Sequence, residues 1–251
     1  EAQAIMNTNS NSYVMAFTIG LCVAVSSVLA VLATVLKPTQ LAAAEFDRQK
    51  NVMMAAGMIK SGDPRTRKEL EALYQKQVKS IVIDTRDGTV AEGKTADDLE
   101  VLNEEARKAN PEHTTAFRMI ETALTADGKL DAIILPVSGK GLWSTLYGYL
   151  ALEADKNHVK GIQFYKHGET PGLGGEVENP KWTAKWQGKE ILNDKGELVS
   201  ITVKKGKVNE SVASEKRHAV DGLAGATITS NGVSKFVRKD LQAFGTYLQK
   251  K

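Results

Sequence analysis

The sequence has 251 residues, 42% of them hydrophobic and 25% charged, which fits a folded protein of one domain or two small ones. Its formal net charge of +3 is too small to indicate a nucleic-acid partner. A single cysteine excludes an internal disulfide and an iron–sulfur cluster held by this chain. Four scattered histidines have no metal-ligand spacing, so no metal site is predicted.

The first predicted element is a membrane-spanning helix over residues 13–36, which follows a short tail over residues 1–12. The span has no charged residue, is almost wholly apolar and is long enough to cross a bilayer core. A buried core helix or a cleaved signal peptide is the alternative, but the run is too long for a signal peptide and no basic segment precedes it. Because Lys37, Arg48 and Lys50 follow the span, the positive-inside rule taken alone places the bulk of the chain in the cytoplasm.

Residues 37–79 are predicted to form a helical connector. An amphipathic helix is expected over residues 40–59, separated from the span by a break at Pro38. A second helix is expected over residues 64–77, with Asp63 as its N-cap and the following proline in its first position.

The remainder, residues 80–251, is predicted to be one globular domain. Asp87 and Gly88 lie between two short apolar runs, which indicates a β-hairpin. Further strands are predicted over residues 131–137, 147–152, 159–165 and 198–204, a polar surface segment over 97–109, a helix over 179–186 and a helix at the C-terminus. Helices come first, strands lie in the middle and a helix closes the chain, so we predict an α+β fold with a mixed or antiparallel sheet and flanking helices.

Two glycine-rich stretches follow predicted strands. Residues 138–143 read Ser-Gly-Lys-Gly-Leu-Trp, so two glycines permit close approach of a flat ligand and Trp143 offers a ring to pack against it. Residues 169–175 read Glu-Thr-Pro-Gly-Leu-Gly-Gly, and such a loop presents backbone N–H groups to a ligand. Neither stretch is a Walker loop or a dinucleotide fingerprint. The alternatives without a ligand are a strand-end turn with a core tryptophan and a flexible turn before a helix.

Residues 220–230 combine an aspartate, several small residues and three hydroxyl side chains, and an apolar run with helical spacing follows them. Residues 225–229 are therefore expected at a helix N-terminus, where free N–H groups and the helix dipole favour a phosphate. The alternative is a glycine turn followed by a threonine or serine N-cap.

Hydrolase chemistry has no support in the sequence. The chain lacks a Gly-x-Ser-x-Gly motif, and no histidine stands beside a candidate nucleophile in a known pattern. Its one cysteine, Cys22, lies inside the predicted span and is expected to be inert there. Redox chemistry would therefore require a bound organic cofactor, whose orientation and exposure the protein would set.

Residues 221–230 resemble the flavinylation motif of the FMN-binding domain family, reading Asp-Gly-x-x-Gly-Ala-Thr-x-Thr-Ser in this chain. Other stretches resemble, more narrowly, the family of C subunits of sodium-translocating NADH:quinone reductases. These are residues 6–12, 136–144, 167–175 and 179–182. Since they extend from the N-terminus to the last helix, the resemblance covers nearly the whole chain. One departure is Ala224, where the family usually has serine or threonine.

The resemblance implies that a flavin transferase joins FMN to Thr227 through a phosphoester bond. Gly225 and Ala226 are small enough to let the phosphate and the transferase approach that hydroxyl, while Thr229 and Ser230 are neighbouring candidates, expected as caps or phosphate contacts. The resemblance also implies that Asp221 serves recognition by the transferase. The isoalloxazine ring is expected to contact Trp143, Glu169, Thr170, Leu173 and Gly174, and no catalytic residue is implied beyond the flavin.

The family further implies an electron-transfer subunit of a sodium-pumping NADH:ubiquinone reductase in a bacterial inner membrane. The bulk of the chain would be periplasmic, contrary to the charge rule. Such a chain is an enzyme only as one subunit of the complex, does not itself bind NADH, and relies on partner subunits for NADH oxidation, quinone reduction and sodium movement. The alternatives are the G subunit of the related Rnf complex, which the asparagine-rich start disfavours, and a membrane-tethered ligand-binding module without a redox role.

Overall fold

The computed structural model describes residues 10–110, 112 and 115–250. The chain divides into two units, Glu1–Asp47 and Arg48–Lys251. Residues 6–9 of the asparagine-rich start, and with them most of the predicted N-terminal tail, fall outside the described residues.

Helix α1 (Asn11–Ala55) includes the predicted span and continues beyond it. Its most apolar 18-residue window has a mean hydropathy of 2.5, and none of that window is buried. By length and composition, α1 is therefore able to cross a bilayer. The predicted break at Pro38 is wrong, because alanine- and leucine-rich sequence on both sides sustains the helix after the loss of one backbone hydrogen bond.

In the second unit, helix α2 (Arg67–Gln77) begins later than predicted. Its N-cap is Thr66, whose side chain accepts the backbone N–H of Glu69, while the Glu69 carboxylate accepts the backbone N–H of Thr66. This reciprocal capping box outweighs the Asp-Pro signal upstream. Asp63 pairs with Arg65 instead, at 2.7 Å.

A six-stranded sheet follows, and every neighbouring pair of strands in it is antiparallel. Its strands are β1 (Val78–Asp84), β2 (Thr89–Val90), β3 (Phe117–Leu124), β4 (Leu130–Lys140), β5 (Thr145–Glu153) and β6 (Val159–Lys166), in the spatial order β2-β1-β3-β4-β5-β6. The hairpin predicted at Asp87 and Gly88 joins β1 to β2. The segment predicted as polar surface contains helix α3 (Leu99–Ala109).

Strand β3 was not predicted, although it lies between β1 and β4 in the sheet. Its sequence carries a charged residue, Glu121, at a fully buried position. Arg48 donates to one oxygen of that carboxylate at 2.7 Å, and Ser80 donates to the other at 2.7 Å. A buried charge that has such partners is stable, but it interrupts the apolar pattern by which strands are recognised.

The C-terminal part packs smaller elements against the sheet. They are α4 (Pro180–Thr183), β7 (Thr202–Val203), α5 (Ala213–His218), β8 (Ala219–Val220), α6 (Thr227–Ala243) and α7 (Gly245–Gln249). The strand predicted over 198–204 is only the two residues of β7, which pair in parallel with β8. The helix predicted over 179–186 is α4 followed by a 3-10 turn (Ala184–Trp186), and Trp182 and Trp186 are both buried. The predicted α+β class is confirmed.

Helix α6 packs directly on β4. A Cβ atom at Gly139 would lie 2.2 Å from Cβ of Phe236, and one at Gly232 would lie 2.4 Å from the carbonyl oxygen of Lys140. Asp240, on the same helix, accepts the backbone N–H of Ser138 at 2.8 Å. Gly139 was predicted to allow close approach of a flat ligand, but it allows close approach of helix α6 instead. This packing sets the N-terminus of α6 beside the β4–β5 turn.

Candidate functional site

Three segments meet at the carboxylate of Glu169. They are the β4–β5 turn, the loop after β6 and the first turn of helix α6. The carboxylate accepts the backbone N–H groups of Leu142, Trp143 and Ser144 at 3.1, 2.9 and 3.1 Å. It also accepts the hydroxyl of Thr229 at 2.6 Å. Glu169 is only 5% exposed, so a buried carboxylate connects all three segments through hydrogen bonds.

The pKa of Glu169 reflects this arrangement. Burial acts to raise it, but the Thr229 hydroxyl and the three backbone N–H donors act more strongly and lower the pKa to about 2. The side chain is therefore ionised at physiological pH and only accepts hydrogen bonds. Glu169, predicted as a ring contact, directs its oxygens into this network.

Glycines make room for the carboxylate. A Cβ atom at Gly174 would lie 2.7 Å from Oγ1 of Thr229 and 2.8 Å from Oε2 of Glu169. A Cβ atom at Gly141 would lie 2.8 Å from the other Glu169 oxygen. Gly174, predicted to line the flavin ring, is buried and contacts the network, so its lack of a side chain has a structural reason at this position.

Around this buried network the loops expose apolar side chains. Trp143 is 68% exposed and Leu173 is 44% exposed, so the core position considered for Trp143 is not observed. Thr170 is also exposed. Gly225 has a positive φ of 69°, and a Cβ atom there would lie 2.8 Å from Cδ2 of Leu173. The predicted ring contacts thus lie next to the predicted attachment loop, with an apolar surface that fits a flat aromatic ligand.

The three candidate hydroxyls at the start of α6 have different surroundings. Thr227, the first residue of the helix, is exposed. Thr229 is buried and donates to Glu169, and the buried hydroxyl of Ser230 accepts the backbone N–H of Leu223 at 3.2 Å. The N-cap position belongs to Ala226, so the alternative of a threonine or serine N-cap is not observed. Among these three residues, only Thr227 is exposed.

Asp221 lies in the segment that leads to α6. Its carboxylate accepts the backbone N–H of Val208 at 2.7 Å and pairs with Nζ of Lys185 at 2.6 Å. Its carbonyl oxygen accepts the indole N–H of Trp182 at 2.8 Å. Burial acts to raise the pKa of Asp221, but the bonds from Lys185 and Val208 lower it overall. This aspartate therefore holds the chain in place before Thr227.

Sequence reasoning missed several supporting side chains. The Ser144 hydroxyl accepts the backbone N–H of Gly168 at 2.6 Å, and Nδ1 of His167 accepts that of Glu169 at 3.2 Å. A surface depression of about 640 Å³ beside Thr227 is lined by Lys185, Lys205 and Lys207, among others. The closely spaced lysines 204, 205 and 207 are visible in the sequence, but nothing in their pattern shows that they approach Thr227.

Comparison with known proteins places the chain in one family. The model of the FMN-binding domain family matches residues 141–242, which include all three segments. The C subunit of the Na(+)-translocating NADH-quinone reductase of Pseudomonas aeruginosa is 39% identical, over 92% of this chain and 91% of that protein. Its counterpart in Vibrio parahaemolyticus is 34% identical, over 97% of this chain and 96% of that protein.

Two solved structures are also similar. The crystal structure of NqrC from Shewanella oneidensis matches with a TM-score of 0.65 and 31% identity, covering 82% of this chain and 99% of that one. The C subunit of the Na(+)-translocating NADH-quinone reductase from Parabacteroides distasonis matches with a TM-score of 0.63 and 28% identity, covering 82% and 94%. The relatives and the fold agree, and this chain belongs to the family of C subunits of the Na(+)-translocating NADH-quinone reductases.

Proposed function

We propose that this chain is the electron-transfer subunit of a Na⁺-translocating NADH:quinone reductase and carries FMN on Thr227 through a phosphoester bond. The observation that carries the attachment site is the contrast among the three hydroxyls, since Thr227 is exposed while Thr229 and Ser230 are buried and hydrogen-bonded. Family membership favours this reading over the G subunit of the Rnf complex.

FMN supplies the redox chemistry when it is bound, and the residues of this chain orient it and control its exposure. Trp143 and Leu173 would pack against the isoalloxazine ring with their exposed side chains, and Thr170 would lie at the edge of the ring. Glu169 acts indirectly, because its carboxylate holds the loops that carry these side chains. Gly225 and Ala226 leave the Thr227 hydroxyl open to a flavin transferase.

The chain accepts electrons from one cofactor of the complex and delivers them to the next, without binding NADH. Other subunits oxidise NADH, reduce the quinone and move sodium. Helix α1 anchors the chain in a bacterial inner membrane, and the domain that follows it is periplasmic. A covalent bond suits that compartment, since a dissociated FMN would not be replaced there.

The attachment site is tested by co-expressing the flavin transferase with Thr227→Ala, Thr229→Ala or Ser230→Ala variants. In-gel flavin fluorescence and the intact mass report the bound FMN. We expect Thr227→Ala to lose the flavin completely and the other two to keep it. Loss in Thr229→Ala alone would move the site, and retention in all three would refute attachment in this stretch.

The redox role and the orientation have their own tests. Wild-type protein from a host that contains the transferase is expected to be yellow after denaturation, whereas a colourless protein would favour a binding module without a redox role. Protease added to intact spheroplasts is expected to digest the chain beyond about residue 40, where a bilayer-length helix of roughly 20 residues would have ended. Full protection would place the domain in the cytoplasm.

A further inference from the structure

The depression beside Thr227 carries positive charge that the protein itself does not neutralise. Three lysines line it, and the carboxylate that faces them is Asp221. The Asp221 carboxylate lies 2.6 Å from Nζ of Lys185, so it compensates the positive charge of that lysine. Lys205 and Lys207 are exposed, and their side chains have no hydrogen bond or ion pair to any residue that the structure describes. The Asp221 carboxylate also attracts Lys207, but three lysines and one carboxylate still leave an excess of positive charge at the depression that Thr227 lines.

The backbone holds these two lysines in place. The basic loop (residues 204–208) is fastened to the segment before α6 by three hydrogen bonds. They run from Lys204 N–H to the Val220 carbonyl (2.9 Å), from Gly222 N–H to the Gly206 carbonyl (2.8 Å) and from Val208 N–H to the Asp221 carboxylate (2.7 Å). A Cβ atom at Gly222 would lie 2.1 Å from the carbonyl oxygen of Lys204, so the two backbones are in direct contact. The proximity of the basic loop to Thr227 is thus a property of the fold.

We propose that Lys205 and Lys207 form a subsite for the phosphate of the flavin nucleotide on Thr227. This proposal rests on the proposed attachment at Thr227 and adds the residues that receive the phosphate charge. A phosphate bonded to Thr227 remains anionic and lies at the edge of this depression. Lysine is suited to such a group, because its ammonium is a compact point charge on a flexible stem that adjusts to the phosphate oxygens. Lys204 does not take part, since its ammonium pairs with Glu215 at 2.6 Å.

The test uses the full chain, produced without the transferase, titrated with free FMN and with riboflavin. These two flavins share the ring and the ribityl chain and differ only in the phosphate. We expect the wild-type chain to bind FMN about fivefold more tightly than riboflavin, the size expected for two solvent-exposed charge contacts. In the Lys205→Gln/Lys207→Gln variant the preference is expected to disappear while the affinity for riboflavin is unchanged.

The matched control is Lys235→Gln/Lys239→Gln, which removes the same charge from exposed positions on α6. These lysines lie about 12 and 18 Å from Thr227 along the helix axis, beyond the screening length of about 8 Å at physiological ionic strength. The control is expected to keep the preference for FMN. Melting curves of all variants check that the fold is intact.

The proposal is overturned if the wild-type chain does not prefer FMN, or if the two double variants behave alike. It is also overturned if the Lys205→Gln/Lys207→Gln variant keeps the preference but is flavinylated poorly by the transferase, because the lysines would then serve the enzyme and not the phosphate. Thr227→Ala is titrated in parallel. If Thr227→Ala still acquires covalent flavin, the attachment proposal fails. If Thr227→Ala does not prefer FMN over riboflavin, the proposal for the lysines fails. The two failures are therefore distinguishable.

Discussion

Glu169 and Asp221 both accept backbone N–H groups from the loops of the site, but their surroundings differ. Glu169 is buried, and three backbone N–H groups and a hydroxyl satisfy its charge. The side chain of Asp221 is 23% exposed and pairs with a lysine. The side of the site proposed to hold the ring is thus built around a buried charge, and the side proposed for attachment is built from charges near solvent.

Because of this difference, we expect folding stability and flavin attachment to depend on different residues of the site. A buried carboxylate bound by several donors contributes strongly to folding, since removing such a group leaves the donors unsatisfied. A partly exposed ion pair contributes at most about 1 kcal/mol, because water and salt screen it. We therefore expect variants on the ring side to destabilise the protein and variants on the attachment side to affect mainly flavinylation and phosphate binding.

The largest effect is expected from Glu169→Gln. The glutamine amide has one acceptor oxygen, and its NH₂ group would face backbone N–H donors. A pKa lowered from 4.5 to about 2 corresponds to about 3 kcal/mol of folding free energy, which we expect this variant to lose. Denaturant unfolding measures the loss. Glu105→Gln, at an exposed position on α3, is the control, and an equal effect in both variants would contradict the role of the buried carboxylate.

The same charge gives a pH dependence of defined sign. The pKa of Glu169 in the folded protein is about 2, below its ordinary value of 4.5. Its contribution is therefore complete above pH 4.5 and is lost as the pH falls towards 2. Unfolding free energies of the wild type and of Glu169→Gln are expected to converge by about 3 kcal/mol over that range. A constant difference between the two proteins would show that Glu169 is not the group responsible.

Much of the fold followed from local pattern. Strand β4 was predicted because its apolar residues are nearly continuous, β5 because its residues alternate, and the β1–β2 hairpin because of its Asp-Gly turn; β6 was predicted as the next strand along the chain. Strand β3 was not predicted, since its buried Glu121 depends on Arg48 and Ser80, which are distant in sequence. The capping box at Thr66 was present in the sequence but was passed over in favour of the Asp-Pro signal.

The sequence motifs of the candidate site could be recognised, but the arrangement of their side chains in space could not be predicted. The motifs pointed to the loops that meet at Glu169, yet they did not show that the carboxylate turns inward or that Trp143 turns outward. The basic loop reaches Thr227 because β7 pairs in parallel with β8, which brings Thr202 beside Ala219. A pairing of two residues in each strand leaves too short a pattern for prediction from sequence.

A smaller loss of stability is expected from Thr229→Val. This change removes the hydroxyl that donates to Glu169 and nearly preserves the volume of the side chain. Since the three backbone donors remain, we expect the unfolding free energy to fall by about 1.5 kcal/mol, the value of one hydrogen bond to a charged group. Thr229→Ser keeps the hydroxyl and is expected to lose less. Equal losses in the two variants would mean that packing, and not the hydrogen bond, matters at this position.

Asp221→Asn and Lys185→Gln each remove one partner of the ion pair between Asp221 and Lys185. Each is expected to change the unfolding free energy by less than about 1 kcal/mol, because the pair is partly exposed. If the transferase recognises Asp221, the first variant slows flavinylation and the second does not. Time courses of in-gel flavin fluorescence with equal amounts of transferase measure this. Equal slowing would show that the ion pair, and not the aspartate itself, is what the reaction requires.

The smallest effect on stability is expected from Trp143→Ala. Its side chain is 68% exposed, so the unfolding free energy of the protein without flavin should change by no more than about 0.5 kcal/mol. Its backbone N–H, which bonds to Glu169, is retained. In the flavinylated protein, however, loss of the indole would expose one face of the ring to water. We expect covalent FMN at the wild-type level, with a changed visible absorption spectrum and a changed reduction potential.

Thr170→Ala provides the companion measurement at the edge of the ring. It is expected to shift the spectrum or the potential less than Trp143→Ala does, again with the covalent bond formed. The two variants therefore locate the ring relative to the loops without disturbing Glu169. If neither the spectrum nor the potential changed in either variant while the flavin remained attached, the ring would have to lie elsewhere. Trp143 and Leu173, which expose apolar side chains from two different loops, would then mark a surface for another occupant, because contiguous exposed apolar surface is typical of binding sites.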